Sequence, residues 1–235
     1  ENNSLDDVYI NKNALAGKHV IVTAGPTRER LDPVRYISNY STGKMGVAIA
    51  DEAMRRGAQS VTLVLGPCEA RPSEPGIKIV NVESAREMLS ACLDNFDSCD
   101  IGIMCAAVAD YAIENPADKK IKRENTAVPD FKFVKNPDIA ATLGERKRND
   151  QILVGFALET DHELENAAGK MKRKNLDMIV MNSLRDKGAG FATDTNKVTI
   201  FTSDGKASAF GLKDKHAVAS DIWDTICVKF QCSEN

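Results

Sequence analysis

The chain has 235 residues, which corresponds to one large domain or at most two. It is 43% hydrophobic and 28% charged, a composition that supports a buried core and excludes disordered and fibrous proteins. The formal net charge is −3, so the chain lacks the global positive charge typical of proteins that bind nucleic acid or anionic membranes. No apolar run approaches the ~20 residues that a membrane helix needs.

The N-terminal segment is polar and lacks the basic and then apolar order of a signal peptide. We therefore expect a cytoplasmic protein in which residues 1–16 form a linker or extension and residues 17–235 form a single domain. The six cysteines include no C-x-x-C pair and the three histidines are far apart, which disfavours a zinc cluster. No neighbouring base marks a cysteine as a nucleophile.

Strand and helix patterns alternate along the chain. Apolar runs predict strands at 19–25, 60–65, 77–82, 101–107, 151–157 and 178–181. Helical spacing of apolar residues predicts helices that begin at Ser41, at Ser84 and shortly after residue 160, with Gly57 ending the first of them. Five or six alternations indicate an α/β fold with a doubly wound, mostly parallel sheet.

Two regions break this alternation. Residues 111–136 are polar, rich in lysine and poor in periodicity, which predicts one long loop of the kind that covers or binds ligands. Two β-like runs at 197–202 and 207–212 flank an Asp-Gly turn, which predicts an appended antiparallel hairpin. Apolar residues at helical spacing in 218–230 predict a closing helix.

The loops after the strands are the candidate site, because open α/β sheets bind ligands beyond the carboxyl ends of their strands. The first such loop ends in Ser41-Thr42-Gly43-Lys44-Met45-Gly46. This helix start is either an anion site with free N–H groups or a plain helix cap beside an incidental lysine. The loop matches neither a P-loop nor a G-x-G-x-x-G fingerprint, which disfavours a dinucleotide site.

A second candidate loop follows the strand predicted at 101–107. Its small residues would let a flat ring or a phosphate approach the backbone, and Asp110 either binds a hydroxyl or a metal ion or ends the strand in solvent. The third loop places four cations within five residues, Lys119, Lys120, Lys122 and Arg123. Such a run favours either solvent or a polyanion.

The segment after the basic loop predicts a further anion site. Pro137 is suited to the first position of a helix, where free N–H groups face an anion. Lys170 and Lys174 stand four apart and share a helix face, either as surface lysines or as an extension of the positive patch. No Ser-His-Asp set or carboxylate pair is evident. The residues therefore suit chemistry in which a nucleotide activates an oxyanion and the protein positions and neutralises charge.

Several motifs, in this order, resemble those of phosphopantothenoylcysteine synthetases, above all the bacterial form that is the C-terminal half of a bifunctional coenzyme A biosynthesis protein. They are Val22-Thr23-Ala24-Gly25-Pro26-Thr27-Arg28, Asp32-Pro33-Val34-Arg35, Ile37-Ser38-Asn39, Ser41-Thr42-Gly43-Lys44-Met45-Gly46, Ala106-Ala107-Val108-Ala109-Asp110-Tyr111, Lys120-Ile121-Lys122 and Lys135-Asn136-Pro137-Asp138-Ile139.

The resemblance implies a Rossmann-like ligase that works in two steps. In the first, the carboxylate of 4′-phosphopantothenate attacks the α-phosphate of CTP, giving an acyl-cytidylate and pyrophosphate. In the second, the amine of L-cysteine displaces CMP to form 4′-phosphopantothenoylcysteine. The resemblance further implies Mg²⁺ with the triphosphate, a homodimer with shared sites, and no flavin in this chain.

The resemblance also implies roles for individual residues. Asn39 would assist the attack of cysteine, and Lys120 would neutralise the reacting phosphates. Arg35, from either subunit, and Ala107 would bind the acid substrate together with Asn39. The nucleotide would contact Met104, Cys105, Ala106, Asp110, Lys120, Pro137, Asp138, Ile139, Ala140, Phe156, Lys170 and Lys174, with Asp110 as the candidate metal ligand.

The lysine motif departs from the family pattern, because Arg123 stands where a further lysine is expected. The flavin-dependent decarboxylase half of the bifunctional protein is absent, so the chain is either a fragment of such a protein or a free-standing synthetase. The residues alone leave open CTP or ATP as the nucleotide. Two rival functions are an NAD(P)-dependent reductase and a non-catalytic nucleotide-binding module.

Overall fold

The computed structural model of the chain describes residues 13–122, 130–159, 163–183 and 193–232. In chain order its elements are β1 (His19–Ala24), β2 (Arg28–Arg30), β3 (Tyr36–Ser38), α1 (Lys44–Arg55), β4 (Ser60–Leu65), β5 (Lys78–Asn81), α2 (Ala85–Phe96), β6 (Ile101–Met104), β7 (Tyr111–Ile113), β8 (Phe133–Lys135), α3 (Ile139–Arg146), β9 (Ile152–Glu159), α4 (Glu163–Lys174), β10 (Met178–Ser183), β11 (Thr195–Asn196), β12 (Val198–Thr202), β13 (Ala207–Ala209), β14 (Lys213–Asp214) and α5 (Lys215–Phe230).

Eight strands form the central sheet, in the order β13-β12-β10-β9-β6-β1-β4-β5. The six strands from β10 to β5 are parallel, whereas β12 pairs antiparallel with β10 and β13 pairs antiparallel with β12. The predicted α/β class and the predicted appended hairpin are both confirmed. The hairpin extends the main sheet at one edge.

Helices cover both faces of this sheet. On β1, Val20 and Val22 belong to the core that α1 and α5 cover, whereas Ile21 belongs to the core under α2, α3 and α4. This alternation follows from the two-residue period of a strand. The indole nitrogen of the buried Trp223 donates to the Ile49 carbonyl at 3.0 Å, which fixes α5 against α1.

The predicted long loop at 111–136 is wrong at its two ends. Strands β7 and β8 pair antiparallel there, with Tyr111 opposite Lys135 and Ile113 opposite Phe133. Three-residue strands are too short to show an alternating pattern in a polar sequence. A second small ribbon, β2 with β3, occupies the segment between β1 and α1, for which the sequence showed no clear period.

Packed structure begins before the predicted domain start at residue 17. Residues 1–12 of the predicted extension lie outside the described residues. Leu15 is fully buried, and its amide donates to the Arg56 carbonyl at 3.0 Å. Among the helices in the described ranges, none is both long and apolar enough to cross a membrane.

Candidate functional site

The strand order reverses between β1 and β6, because β4 and β5 lie on one side of β1 and β6, β9 and β10 lie on the other. The loops that leave β1 and β6 are therefore those at which a doubly wound sheet binds its ligands. A parallel bridge joins Pro26 to Ala107, and the Ala107 amide donates to the Gly25 carbonyl at 2.9 Å. The two loops are thus paired beyond the ends of their strands.

Two buried threonine hydroxyls hold the loop after β6 in place. Thr23 Oγ1 accepts from the Ala106 amide at 3.1 Å, and Thr27 Oγ1 accepts from the Ala109 amide at 3.0 Å. Both threonines are at most 2% exposed. The sequence shows both residues only as part of a motif and gives them no role, because their partners lie 83 and 82 residues away along the chain.

A first cleft, of about 470 Å³, opens beside the loop after β6. Ten of the twelve residues predicted to bind nucleotide line it: Met104, Ala106, Asp110, Pro137, Asp138, Ile139, Ala140, Phe156, Lys170 and Lys174. The other two lie elsewhere, since Cys105 lines the neighbouring cleft and Lys120 lines neither. Four distant segments of the sequence, 104–110, 137–140, 156 and 170–174, therefore line one cleft.

Helix α3 begins later than predicted. Its first residue is Ile139 and its N-cap is Asp138, so the expectation that Pro137 opens the helix is wrong. The Asp138 carboxylate accepts from the Ala141 amide at 3.1 Å, which makes aspartate the better start signal. Since proline has no N–H, Pro137 cannot donate to a phosphate as expected.

The amides that remain at this helix start are those of Ile139 and Ala140. Neither has a hydrogen-bond partner within the described part of the chain, and both residues line the first cleft. Lys174 also reaches this point, where its Nζ lies 2.9 Å from the Asp138 carboxylate. The predicted lysine pair, Lys170 and Lys174, does face the same cleft.

Asn136 joins the loop after β6 to the start of α3. Its backbone amide donates to the Asp110 carbonyl at 2.9 Å, and its side-chain nitrogen donates to the Ala109 carbonyl at 2.8 Å. Its side-chain oxygen is buried and has no hydrogen-bond partner among the described residues. The residue was seen in the sequence only as part of a motif, and no local pattern indicated this connecting role.

A second cleft, of about 390 Å³, lies against the first. Five residues line both clefts and form a shared wall: Ala106, Val108, Asp110, Phe156 and Lys170. The residues that line only the second cleft include the predicted site residues Asn39, Cys105 and Ala107, together with segment 41–46. Two compartments thus meet at the switch point.

The glycines of segment 41–46 explain why α1 starts at Lys44 rather than at Ser41, as the sequence suggested. Gly43 is the N-cap, with φ of +77° and no side-chain cap. A Cβ on Gly43 would lie 2.5 Å from Cys68 Sγ, and one on Gly46 would lie 2.5 Å from the Ala24 Cβ. Glycine therefore lets the helix start close to the end of β1.

Asn39 lies at the mouth of the second cleft. Its exposed side chain donates from Nδ2 to the carbonyls of Ala107 and Val108, at 3.1 Å in each case. These two bonds fix which way the amide points, because only its nitrogen can donate to carbonyls. The side-chain oxygen is consequently the group that remains for a ligand.

Lys120 and Arg35 stand outside both clefts. Lys120 is exposed, and no side-chain contact is found for it within the described ranges, while Arg123 lies outside them. The Arg35 guanidinium forms an ion pair with Asp32 and donates to the Ile121 carbonyl at 3.1 Å. Within this chain Arg35 does not line either cleft.

The buried carboxylate of Asp32 anchors the segment that carries Lys120. It accepts from the Ile121 amide at 3.2 Å and from the amides of Val34 and Arg35 at 2.8 and 2.9 Å. Hydrogen bonds from Arg35 and from these amides hold the pKa of the Asp32 carboxyl well below its usual range. The sequence showed Asp32 only as part of a motif.

Asp110 fits the limited role that a magnesium ion arriving with a nucleotide requires. Its exposed carboxylate lines the shared wall, and no hydrogen bond or ion pair occupies it within the described segments. Those segments contain no group of three metal-ligating side chains. Mg²⁺ in nucleotide sites often takes one or two carboxylates plus phosphates and water, so one carboxylate fits.

Cys105 is a neutral thiol at the end of β6. Burial raises its pKa to about 12, while Lys215 acts in the opposite direction. A thiol with so high a pKa carries almost no thiolate at neutral pH and is a poor nucleophile.

The fold and site define a doubly wound α/β protein with two adjoining clefts at the switch point of its sheet. More particularly, the chain belongs to the family of the DNA/pantothenate metabolism flavoprotein C-terminal domain, whose sequence profile matches residues 15–229. The predicted family membership is confirmed.

Three known proteins illustrate the similarity. The chain is 52% identical to a prokaryotic "Cysteine/Cysteine sulfinic acid decarboxylase", over 91% of this chain and 59% of that protein. It is 42% identical to the coenzyme A biosynthesis bifunctional protein CoaBC of Haemophilus influenzae, over 97% of this chain and 56% of that protein. The crystal structure of a CoaBC C-terminal domain aligns with a TM-score of 0.77 at 40% identity, covering 92% of this chain and 99% of that one. The chain thus spans little more than half the length of the decarboxylase and of the Haemophilus influenzae CoaBC.

Replacing Asp32 by Asn tests the anchor of the Lys120 segment. A carboxyl whose folded-state pKa is lowered stabilises the protein above its ordinary pKa of about 3.9, and that contribution is lost as the pH falls further. We expect the variant to unfold more easily at pH 7, with the deficit shrinking below pH ~4. Denaturant titrations at pH 7 and below pH ~4 measure the free energy of unfolding of the variant and of wild type. In the variant, hydrogen exchange at the Ile121 amide should also become faster.

Asp118→Asn is the matched control, since Asp118 is an exposed carboxylate in the same segment. Its free energy of unfolding should stay within about 0.5 kcal/mol of wild type. A deficit in the Asp32 variant that is the same at both pH values would contradict the role of the charge.

Proposed function

We propose that this chain is a CTP-dependent ligase that joins 4′-phosphopantothenate to L-cysteine in coenzyme A biosynthesis. The observation that carries the proposal is the meeting of ten motif-predicted residues in one cleft, which shares a wall with the cleft of Asn39. The family membership and the CoaBC relatives support it. An acid and a nucleotide held in adjoining clefts would meet at that shared wall.

The first step needs the substrate carboxylate and the α-phosphate to approach despite their like charges. One carboxylate oxygen forms a bond to phosphorus, and the bond from phosphorus to the pyrophosphate oxygen breaks. Lys170 on the shared wall and Lys174 in the first cleft would neutralise the phosphates, with the Ile139 and Ala140 amides as additional donors. Asp110 would help to hold a magnesium ion that arrives with the nucleotide, and this ion would supply further positive charge near the phosphates.

The second step needs the cysteine amine to be directed at the acyl carbon. The amine nitrogen forms the amide bond, CMP leaves with the electron pair of the broken C–O bond, and the nitrogen gives up one proton to solvent. Because the Asn39 side-chain nitrogen donates hydrogen bonds to two carbonyls, the side-chain oxygen would accept an N–H of the amine. This contact would orient the lone pair toward the acyl group.

Lys120 would enter the site by movement of its segment, since it is exposed and lies in neither cleft. Hydrogen bonds hold the backbone on both sides of Lys119 and Lys120, at the Ala117 and Ile121 amides, so these two lysines would move between two fixed points. A cation that closes over the nucleotide only when it is bound would exclude water from the reacting phosphates.

A homodimer is part of the proposal. Five large apolar side chains are between 47% and 93% exposed on the two small ribbons and the segment after β3: Val34, Tyr36, Tyr40, Tyr111 and Phe133. The ribbons are neighbours, because β2 packs against β7. Exposed aromatic clusters of this kind are typical of protein interfaces. A second copy of the chain bound to this surface would also bring its own Arg35 near the site.

The CoaBC relatives are described as bifunctional, and this chain covers only about half of them. The proposal includes fusion to a flavin-dependent decarboxylase domain in the full-length protein, with the flavin bound outside this chain. The cytosine preference rests on the bacterial resemblance alone.

Pyrophosphate release is the direct test of the ligase. With Mg²⁺, we expect release from CTP plus 4′-phosphopantothenate, and formation of 4′-phosphopantothenoylcysteine only when L-cysteine is added. ATP in place of CTP should support less than about a tenth of the rate, because each 1.4 kcal/mol of discrimination is a factor of ten. Absence of pyrophosphate with both nucleotides would refute the ligase. Tight CTP binding without turnover would support the non-catalytic nucleotide-binding module, and binding of NAD(P) would support the reductase.

Lys120→Gln tests the mobile cation. We expect pyrophosphate release to slow roughly 100-fold, the usual cost of losing one electrostatic contact to a transition state. Lys119→Gln, which removes the same charge one residue away, should change the rate less than about threefold. Similar rates for the two variants would remove Lys120 from the mechanism.

Asn39→Asp tests the second step. A carboxylate cannot donate to the carbonyls of Ala107 and Val108, so it would turn away from its present orientation. We expect the acyl-cytidylate to form at close to the normal rate and to accumulate, as measured by quenched-flow analysis with labelled CTP. Asn149→Asp, at an exposed position, should leave both steps unchanged. Equal slowing of the two half-reactions would contradict this role.

A further inference from the structure

Two cysteines at the end of α5 are used by neither the motifs nor the proposed chemistry. Cys227 lies in the last turn of α5, and Cys232 follows shortly after the helix ends at Phe230. Cys232 lines a small cavity together with Ile101 and Ile152, which are the first residues of β6 and β9. The pair therefore lies at the amino ends of the parallel strands, whereas both clefts lie beyond their carboxyl ends.

The backbone after α5 folds back and brings the two thiols together. Gln231 adopts the left-handed conformation, with φ of +50°, and its amide donates to the Cys227 carbonyl. The Cys232 amide donates to the same carbonyl at 3.4 Å, a pattern typical of helix C-termini. Cys232 Sγ donates to the Ile226 carbonyl at 3.8 Å. The Cys232 side chain thus packs on the last turn of α5, where the two thiols share a hydrogen bond.

A buried cation lies beside Cys227. The Arg56 guanidinium is only 3% exposed, and ion pairs with Glu52 and Asp224, at 2.7 and 2.6 Å, hold it there. The hydrogen bond from Cys232 and the charge of Arg56 lower the pKa of Cys227, while burial and the Asp224 carboxylate oppose this effect only in part. Since the thiolate is the reactive form, this environment activates Cys227.

The other cysteines outside the pair lack such activation. Burial raises the pKa of Cys92, Cys99 and Cys105 to about 12, and it also raises the pKa of Cys68. All six cysteines of the chain lie within the described ranges. Cys227 is the only one of the six whose pKa is lowered. The sequence gave no sign of this, because the activating arginine is far from Cys227 along the chain.

We propose that Cys227 and Cys232 form a reversible oxidation site, which hydrogen peroxide converts to an intramolecular disulfide. The Cys227 thiolate attacks one peroxide oxygen and the O–O bond breaks. The products are a sulfenic acid at Cys227 and a hydroxide, which takes up the proton that the thiol had released and becomes water.

The second step closes the disulfide. The sulfur of Cys232 attacks the sulfenic sulfur of Cys227, so that the S–S bond forms and the S–O bond breaks. The departing hydroxyl group takes the proton of the Cys232 thiol and leaves as water. In total, two thiols and one hydrogen peroxide give one disulfide and two water molecules. Cys232 is thus suited to be the resolving thiol, because its hydrogen bond with Cys227 and its burial raise its pKa.

Trypsin provides a direct readout, because it cleaves after Lys229, between the two cysteines. The whole chain is treated with hydrogen peroxide, its remaining thiols are blocked with N-ethylmaleimide, and it is then digested. We expect peptide 216–229 to be linked to the peptide that begins at Phe230. Before blocking, the chain should be about 2 Da lighter and should run as a single chain on a non-reducing gel. Dithiothreitol should separate the peptides and restore both thiols.

Serine variants separate the two steps. In Cys232→Ser, oxidation should stop at the sulfenic acid of Cys227, which dimedone labels. Cys227→Ser should give neither the linked peptides nor a dimedone label at Cys232. Cys68→Ser is the matched control, since Cys68 is another partly exposed cysteine, and it should give the linked peptides in the same yield as wild type.

Wild type provides the deciding measurement if a serine variant does not fold. With limiting iodoacetamide at neutral pH, Cys227 should be alkylated roughly tenfold faster than Cys105, because its thiolate fraction is larger. Equal rates would overturn the proposal. So would a peroxide reaction that links other cysteines, joins two chains, or takes Cys227 to the sulfinic acid while Cys232 stays free. None of these measurements uses CTP or the acid substrate, so their outcome is separate from that of the ligase test.

Discussion

The pairing of the loops after β1 and β6 is the constraint on which both clefts depend. Pro26 and Ala107 extend the sheet by one bridge, and the buried hydroxyls of Thr23 and Thr27 satisfy amides of the second loop. Separating the loops would leave these polar groups unpaired, at a cost of about 1–3 kcal/mol for each buried group. The floor of the site is therefore fixed by the two loops, whereas the Lys120 segment is held from outside the clefts, by hydrogen bonds of Ile121 to Asp32 and Arg35 and of the Ala117 amide to the Leu31 carbonyl.

The distribution of charge matters more here than its total. The chain is acidic overall, yet the ionisable residues that line the two clefts are mainly lysines. In a cleft with low-dielectric walls, such a local excess attracts anions that the net charge would repel. The proposed polyphosphate and phosphate-ester ligands are therefore compatible with a chain that is acidic overall.

The sequence predicted the main sheet well, because long apolar runs and a regular alternation with helices report burial directly. The sequence prediction failed where one or two residues determine the local backbone conformation. Gly43 and Asp138 shift the starts of α1 and α3, and β7 and β8 are too short to show a period. For the site, motif resemblance found the lining residues. It included Thr23 and Asn136 in its motifs but could not predict their roles, which depend on partners that only the fold brings near.

The wall that the two clefts share has a thermodynamic consequence. Phe156 and Lys170 face both compartments, so a ligand that reorients either side chain in one compartment alters the other. Linkage requires any such influence on affinity to be mutual. If a ligand in one cleft raises the affinity of the other cleft by some factor, a ligand in the other cleft raises the affinity of the first by the same factor. A single side-chain rearrangement at the shared wall would therefore be enough to make binding faster in one order than in the other. The combined affinity for the two ligands would still be the same for either order.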